Sequence, residues 1–123
     1  MKHIMIVDDS PTIRASVSFC AQNAGYTVTE AADGQDALDK IALMEQDGLI
    51  PSLIITDVNM PRMDGITFIK NIKKSDFRYI PILVLTTESE EAMIEKGRAS
   101  GASGWLMKPF QPEQLLWAIK KLV

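Results

Sequence analysis

Short apolar runs, separated by longer segments with helical spacing, recur along the whole of this sequence. Apolar runs of this length, bounded by polar residues, are typical of strands that are buried on both faces of a sheet. The segment 26–29 alternates more between apolar and polar residues, which is typical of an edge strand. The runs that predict buried strands are residues 4–7, 53–55, 82–85 and 105–107.

The segments between these runs carry residues at the spacing of an amphipathic helix, so each can lay one apolar stripe on a sheet. The segment 89–100 is poor in apolar residues and contains Gly97, and it therefore predicts the loosest helix of the set. The helical spacing runs through Ile13, Val17, Cys20 and Ala24; through Leu38, Ile41 and Glu45 with Ala37 and Met44; through Ile66, Ile69 and Ile72 with Phe68; and through Leu115, Leu116, Ile119 and Leu122.

This order of five strands alternating with five helices predicts an α/β fold. Its five-stranded sheet is expected to be parallel, with helices on both faces and right-handed crossovers. On such open sheets, ligands bind outside the carboxyl ends of the strands, where the strand order reverses. The residues that directly follow each strand are therefore the candidates for function.

The size and charge of the chain narrow the possible functions. At 123 residues with 46% hydrophobic content, the chain predicts one domain over residues 1–123, with no room for a second domain. The net charge of -3 and the lack of a basic stripe argue against nucleic-acid binding. The apolar run 4–7 is too short for a signal peptide or a membrane span, and the single cysteine, Cys20, fits a reducing compartment. We expect a cytoplasmic protein.

Polar side chains follow four of the five predicted strands. Asp8 and Asp9 follow the first strand, Asp57 the third, Thr86 the fourth and Lys108 the fifth. Three carboxylates that share a small site need a cation or raised pKa values, and oxygen ligands favour a hard ion such as Mg²⁺. Lysine and threonine side chains can hold phosphate oxygens, and a carboxylate such as that of Asp57 can act as a nucleophile towards phosphorus.

Each of these residues also has a structural explanation. Asp9 or Ser10 can cap the first helix ahead of Pro11, Thr86 can cap the helix that follows it, and Asp57 can be an ordinary loop acid. What favours a site is that these residues all fall at the carboxyl ends of strands. His3 and Cys20 lack partners at ligand spacing, so structural roles are expected for both.

Four stretches of the chain, together, resemble the receiver domain of two-component response regulators. They are VDDS at 7–10, TDVNMPRMDG at 56–65, LTTE at 85–88 and GASGWLMKPF at 101–110, and the resemblance extends over the whole chain. The nearest type within the family is the single-domain chemotaxis regulator. The resemblance implies a flavodoxin-like doubly wound fold with strand order 2-1-3-4-5.

The resemblance also assigns roles to the polar residues. It implies that Asp57 accepts a phosphoryl group from a histidine kinase, and that Mg²⁺ is bound by Asp9, Asp57 and the backbone carbonyl of Asn59, with Asp8 acting through water. Thr86 and Lys108 would bind the phosphoryl oxygens.

Further implications concern the residues around that site. In the family, the bond between the lysine and the following proline is typically cis, which implies the same for Lys108 and Pro109. Asn59 and Glu88 are residue types of the chemotaxis branch, where they tune hydrolysis of the acyl phosphate. Trp105 stands where the family usually has a switching Tyr, Phe, His or Thr.

A partner surface is expected around Trp105 and the terminal helix. It comprises Trp105, Glu88, Ile94, Trp117 and Lys120. The implied partners are a chemotaxis-type histidine kinase, a separate effector such as a flagellar motor switch component, and a phosphatase. We expect a monomer with no nucleic-acid or membrane partner.

Three other functions compete with the phosphorylated switch. A Mg²⁺-dependent phosphohydrolase would need a general acid two residues after Asp57, where Asn59 stands, so the chain is expected not to be an enzyme. A flavodoxin-like flavin carrier would need phosphate-binding donors after the first strand, where Asp8 and Asp9 would repel a phosphate. A docking module that is never phosphorylated stays open.

Overall fold

The computed structural model describes residues 2–87, 95 and 101–123. The helix predicted at residues 89–100 lies outside the described residues, apart from position 95. The strands are β1 (His3–Val7), β2 (Thr27–Ala31), β3 (Leu53–Asp57), β4 (Ile82–Thr86) and β5 (Gly104–Met107). The described helices are α1 (Pro11–Asn23), α2 (Gly34–Gln46), α3 (Gly65–Lys73) and, at the carboxyl terminus, α4 (Pro112–Leu122).

The five strands form one parallel sheet in the order β2-β1-β3-β4-β5. This confirms both the α/β class and the strand order that the sequence implied. The chain places β2 on one side of β1 and β3 on the other, so the strand order reverses between β1 and β3. The carboxyl ends of β1 and β3 therefore lie side by side, with Val7 opposite Thr56.

The sheet divides the apolar core into two layers. Successive residues of a strand point to opposite faces, so Met5 and Ile54 pack on the face covered by α2 and α3, whereas Ile6 and Ile55 pack on the face covered by α1 and α4. Every residue of β1 and β4 is buried, as the continuous apolar runs predicted. These interior strands give the residues after them a rigid base.

The two outer strands, β2 and β5, are less buried. The alternating pattern correctly predicted β2 as an edge strand. The prediction that residues 105–107 are buried on both faces is wrong, because β5 is the other edge and Met107 is 42% exposed. A strand with a neighbour on one side only is covered less completely, even when its sequence is apolar.

Side-chain caps start three of the helices immediately beyond the carboxyl edge of the sheet. The Oγ atom of Ser10 accepts a hydrogen bond from the N–H of Ile13 at 3.3 Å, which confirms the predicted cap ahead of Pro11. Asp33 and Asp64 cap α2 and α3 in the same way. Such caps contribute about 1 kcal/mol each and fix where the chain leaves the sheet. Among the described helices, none is long and apolar enough to cross a membrane.

Candidate functional site at the carboxyl edge of the sheet

Three carboxylates meet where β1 and β3 end. Asp8 and Asp9 directly follow β1, and Asp57 is the last residue of β3. One carboxylate oxygen from each residue lies within 4.8 Å of the other two. Asp8 is buried, Asp57 is half-buried and Asp9 is exposed, so the cluster opens to solvent on one side. A set of oxygen donors with this spacing suits a hard divalent cation such as Mg²⁺.

Lys108 brings a positive charge into this cluster from the other side. Its Nζ atom lies 3.1 Å from Oδ2 of Asp8 and 3.4 Å from Oδ2 of Asp57, and its side chain is only 14% exposed. The backbone N–H of Lys108 donates to the carbonyl oxygen of Thr86 at 2.7 Å, which ties the residue to the end of β4. The peptide bond between Lys108 and Pro109 is cis, as the resemblance implied.

The electrostatic environment acts most clearly on Asp57. Burial raises the pKa of its carboxyl group above the ordinary value, and the nearby charge of Asp8 adds to this rise. The charge of Lys108 and the N–H of Val58, which donates to Oδ1 of Asp57 at 2.7 Å, lower the pKa but do not cancel the effect of burial. The Asp57 anion is therefore less stabilised than a carboxylate in water, and a bound cation would relieve that penalty.

Three separate groups donate hydrogen bonds to Asp8. Its Oδ1 atom accepts from the N–H of Ser10 at 2.9 Å, and its Oδ2 atom accepts from Lys108. Its backbone carbonyl accepts from Nη1 of Arg14 at 2.6 Å, and Nε of Arg14 lies 3.5 Å from a carboxylate oxygen of Glu30. The sequence analysis missed Arg14. The sequence feature that could have predicted its role is its position one helical turn beyond Ser10, because a helical side chain at that position extends back towards the end of β1.

Asp57 is positioned by a close approach of Gly65, the first residue of α3. The N–H of Gly65 donates to the carbonyl oxygen of Val58 at 2.7 Å. A β-carbon on Gly65 would overlap the carbonyl oxygen of Asp57 and lie 2.8 Å from Cα of Val58. Only a residue without a side chain allows this contact, which fixes the backbone at the end of β3.

An ion pair between Asp33 and Arg62 joins the loop before α2 to the loop before α3. The Nε atom of Arg62 lies 2.8 Å from Oδ2 of Asp33, and its Nη2 atom lies 3.0 Å from Oδ1. The hydrogen bond from Arg62 holds the pKa of the Asp33 carboxyl below its ordinary value. The sequence analysis missed this pair, since nothing in the spacing of two loop residues from different crossovers shows that they meet.

The remaining predicted residues lie around or away from the carboxylates. Asn59 is exposed two positions after Asp57, and the role of its carbonyl stays a prediction. Trp105 is half-buried on β5, whereas Trp117 and Lys120 are exposed on α4. Thr86 is buried at the end of β4, beside Met107 of β5. The predicted residues Glu88 and Ile94 lie outside the described residues. Within the described part of the chain, the structure thus brings together Asp8, Asp9, Asp57 and Lys108.

Comparison with known families agrees with this geometry. Residues 4–120 match the response regulator receiver domain family. The chain is 39% identical over 118 residues to protein PilG of Pseudomonas aeruginosa, which covers 95% of this chain and 84% of PilG. It is 33% identical over 122 residues to chemotaxis protein CheY of Thermotoga maritima, which covers 98% of this chain and 97% of that protein.

Solved structures show the same architecture. The chemotaxis response regulator CheY4 of Vibrio cholerae superposes with a TM-score of 0.88 at 43% identity, and the match covers 100% of this chain and 99% of that chain. Several other curated relatives are longer proteins, of which this chain spans between 15% and 57%.

Proposed function

This chain belongs to the response regulator receiver domain family, and on that premise we propose that it is a phosphorylation-activated switch that accepts a phosphoryl group on Asp57. The observation that carries the proposal is the position of Lys108, whose Nζ atom contacts both Asp8 and Asp57 beside the cluster of three carboxylates. Lys108 thus places a positive charge beside the proposed acceptor, where it can bind phosphoryl oxygens.

The proposed reaction is a phosphoryl transfer from a phosphohistidine of a histidine kinase. A carboxylate oxygen of Asp57 attacks phosphorus, the new O–P bond forms and the N–P bond breaks. The imidazole, which already carries a proton on its other ring nitrogen, takes the electron pair of the N–P bond and leaves as the neutral ring. Asp8, Asp9 and Asp57 would hold Mg²⁺, because their carboxylate oxygens suit it in type and spacing. The carbonyl of Asn59 would be a further oxygen ligand. When bound, Mg²⁺ neutralises the charge that develops on the phosphoryl oxygens.

Lys108 and Thr86 have a different proposed task, which is to detect the phosphoryl group once it is formed. Lys108 can exchange its contact with Asp57 for one with a phosphoryl oxygen because its Nζ atom is already 3.4 Å from the accepting carboxylate. Thr86 ends the neighbouring strand β4, and its carbonyl already binds the backbone of Lys108. The two residues therefore link the phosphorylated site to β4 and β5.

The proposal extends to partners. A histidine kinase would be the phosphodonor, and a separate effector protein, such as a flagellar motor switch component, would bind the activated form, with a phosphatase as a further partner. The similarity to proteins named for chemotaxis supports this branch. The proposed partner surface includes Trp105, Trp117 and Lys120 among the described residues. We also propose a monomeric, cytoplasmic protein in which residues 1–123 form one receiver domain.

Phosphorylation by a small donor tests the proposal directly. The protein is incubated with Mg²⁺ and acetyl phosphate, and its intact mass is recorded. We expect the native chain to gain one phosphoryl group and Asp57→Asn to gain none. Asp39→Asn, an exposed carboxylate on α2 outside the cluster, is the matched control and should gain one group.

Two outcomes contradict the proposal. Full labelling of Asp57→Asn would show that the acceptor is another residue. A native chain that stays unlabelled, and that also gives no NMR shifts with beryllofluoride and Mg²⁺, would favour the docking module that is never phosphorylated.

A further inference from the structure

The loop of residues 59–64, which joins β3 to α3, is pinned at its base beside Asp57. The N–H of Gly65 donates to the carbonyl of Val58 at 2.7 Å, so the chain closes on itself where the loop begins and ends. Within the loop, the N–H of Met63 donates to the carbonyl of Pro61 at 2.6 Å, which makes a tight turn. These contacts fix the two ends and the turn, but they do not connect the loop to the rest of the molecule.

Met60 and Met63 of the loop pack on the apolar core, and the side chain of Arg62 adds an ionic connection. Its guanidinium group binds both carboxylate oxygens of Asp33 at 2.8 and 3.0 Å. The Arg62 side chain is 61% exposed, whereas that of Asp33 is 7% exposed. The buried carboxylate of Asp33 thus accepts a bidentate hydrogen bond from a loop that contains no helix or strand.

Asp33 is itself firmly anchored. Its Oδ1 atom also accepts the N–H of Asp36 at 2.9 Å, which caps α2. Two residues earlier, the carbonyl of Ala31 accepts the N–H of Asp8 at 3.1 Å, so the segment before Asp33 is bonded to the end of β1. Through Arg62 and Asp33, the loop of residues 59–64 is therefore connected to the segment that is hydrogen-bonded to Asp8.

The backbone at Arg62 indicates that its side chain matters. Its φ angle is +63°, in the left-handed region where a β-carbon is strained and where glycine is the unstrained choice. An arginine at this position needs a compensating interaction, and its bond to Asp33 is the one that the structure shows. Strained backbone of this kind is found where a neighbouring site must be held in place.

We propose that Arg62 and Asp33 form a clamp that positions the 59–64 loop for binding of Mg²⁺. The proposal rests on the proposed function, since Asn59 of this loop would supply a carbonyl oxygen to the ion. Arg62 and Asp33 are positioning residues that do not touch the ion. By holding the loop against α2, they keep the carbonyl of Asn59 in place before the cation arrives.

A simple surface ion pair is the competing explanation, because exposed pairs contribute little. The two explanations differ in what loss of the pair should change. If the pair is only a surface contact, its loss should change neither the order of the loop nor the affinity of the protein for Mg²⁺. A clamp would leave the folded core intact while the loop loosens and the affinity falls, and second-layer contacts of this kind typically change metal affinity by about tenfold or more.

The test compares four single variants, and the double variant Arg62→Ala with Asp33→Asn, in the full chain. Arg62→Ala removes the clamp. Arg62→Lys keeps the positive charge but cannot make two parallel hydrogen bonds to Asp33. Asp33→Asn keeps a side-chain cap for α2 but loses the ion pair. Arg78→Ala is the matched control, because Arg78 is an exposed arginine before β4, at the opposite edge of the sheet. Affinity for Mg²⁺ is measured by calorimetry, and amide exchange of Gly65 is measured by NMR without divalent cations.

We expect the affinity for Mg²⁺ to fall by roughly tenfold in Arg62→Ala and Asp33→Asn, by less in Arg62→Lys, and not at all in Arg78→Ala. The Gly65 amide should exchange faster in Arg62→Ala and Asp33→Asn, and the double variant should be no worse than either single one. In phosphorylation by acetyl phosphate, the half-saturating Mg²⁺ concentration should rise while the rate at saturating Mg²⁺ stays the same.

Each other outcome overturns the clamp in a recognisable way. If the native chain binds Mg²⁺ and Arg62→Ala binds it equally well, the pair is only a surface contact, and the proposed function stands. If the native chain binds no Mg²⁺, the proposed function itself fails and the clamp has no metal site to serve. Equal losses in Arg62→Ala and in Arg78→Ala would show a general weakening of the fold, because removal of a positive charge by itself favours binding of a cation.

Discussion

Gly65 packs against Asp57 so closely that a β-carbon at position 65 would overlap the carbonyl oxygen of Asp57. The first residue of α3 therefore sets the position of the last residue of β3. Since the side chain of Asp57 extends from this same backbone, the geometry of the carboxylate cluster depends on a residue that has no side chain at all.

We predict that Gly65→Ala destabilises the fold by about 2 to 3 kcal/mol, because the added methyl group forces backbone atoms apart. Urea unfolding of native and variant protein measures the difference. Gly104→Ala is the matched control, since a β-carbon there would meet only side-chain atoms of Leu122 and Leu83, at 3.4 and 3.7 Å. Equal stabilities of Gly65→Ala and native protein would show that the loop yields easily.

Much of the fold was predictable because the spacing of apolar residues along the sequence indicates which side chains are buried. The continuous apolar runs of β1, β3 and β4 correspond to interior strands, and the alternation at 26–29 corresponds to the edge strand β2. The same rule fails for β5, whose apolar residues lie at an edge. An apolar run indicates that its side chains are at least partly buried. It does not show whether the strand has a neighbouring strand on both sides or on one side only.

The site was predictable in part for a topological reason. Residues at the carboxyl ends of parallel strands share one edge, so the meeting of Asp8 and Asp57 follows from the adjacent positions of β1 and β3. Lys108 follows the more distant strand β5 and reaches both acids with its long side chain. Arg14 and Arg62 were not predictable in this way. Their long side chains reach the site from a helix and from a loop, and the reach depends on rotamers and on the positive φ angle of Arg62, which periodicity does not report.

We predict that Mg²⁺ stabilises the native chain against unfolding. A ligand that binds only the folded state adds RT ln(1 + [L]/Kd), which is about 1.4 kcal/mol when the ion is tenfold above its dissociation constant. Thermal unfolding with and without Mg²⁺ measures this gain, which should be much smaller in Asp9→Ala because one carboxylate of the cluster is lost. Asp39→Ala should keep the full gain, and a similar loss in both variants would contradict the site.

The second electrostatic prediction concerns Lys108 in protein without divalent cations. Burial raises the pKa of Asp57 and Lys108 opposes this rise, so Lys108→Met should raise the pKa further. A raised folded-state pKa makes ionisation unfavourable to folding, and the variant should therefore lose stability relative to native protein as the pH rises through the titration of Asp57. Carbon-detected NMR of the Asp57 carboxyl and urea unfolding at several pH values test this, and a stability difference independent of pH would contradict it.

A pH dependence of the opposite sign is predicted for Asp33. Arg62 holds the pKa of Asp33 below its ordinary value of 3.8, so the pair contributes stability above that pH and loses it as the pH falls through the lower folded-state pKa. Asp33→Asn should therefore be less stable than native protein at neutral pH and equally stable at strongly acidic pH. Urea unfolding across this range tests the prediction, and a variant that is equally stable at neutral pH would contradict it.

The last prediction follows the signal from Asp57 towards the proposed partner surface. Trp105 lies on β5, opposite Val84, and on the same two strands Thr86 pairs with Met107, the residue before Lys108. A phosphoryl group adds about 1.5 to 2 negative charges at neutral pH, which would draw Lys108 and Thr86 towards it. A displacement of Met107 at the end of β5 would therefore be only two residues away from Trp105.

The surroundings of Trp105 leave space for a change. Its ring packs against the core layer under α2 and α3 and also borders a cavity of about 250 Å³, which is shared with Trp117 and Lys121. Nζ of Lys121 lies 4.8 Å from the centroid of the exposed Trp117 ring, so a change in the cavity would alter both rings. Emission from the native protein would mix the two signals.

We therefore predict that beryllofluoride with Mg²⁺ changes the fluorescence of Trp105 in a Trp117→Phe background, in which Trp105 is the remaining one of the two tryptophans. The shift in emission should saturate together with the NMR shifts of the Asp57 region. Adding Asp57→Asn to this background is the control, and it should abolish the response. Unchanged emission in protein whose NMR spectrum shows full occupancy would remove Trp105 from the switch, and the signal would then have to leave the site along β4 alone.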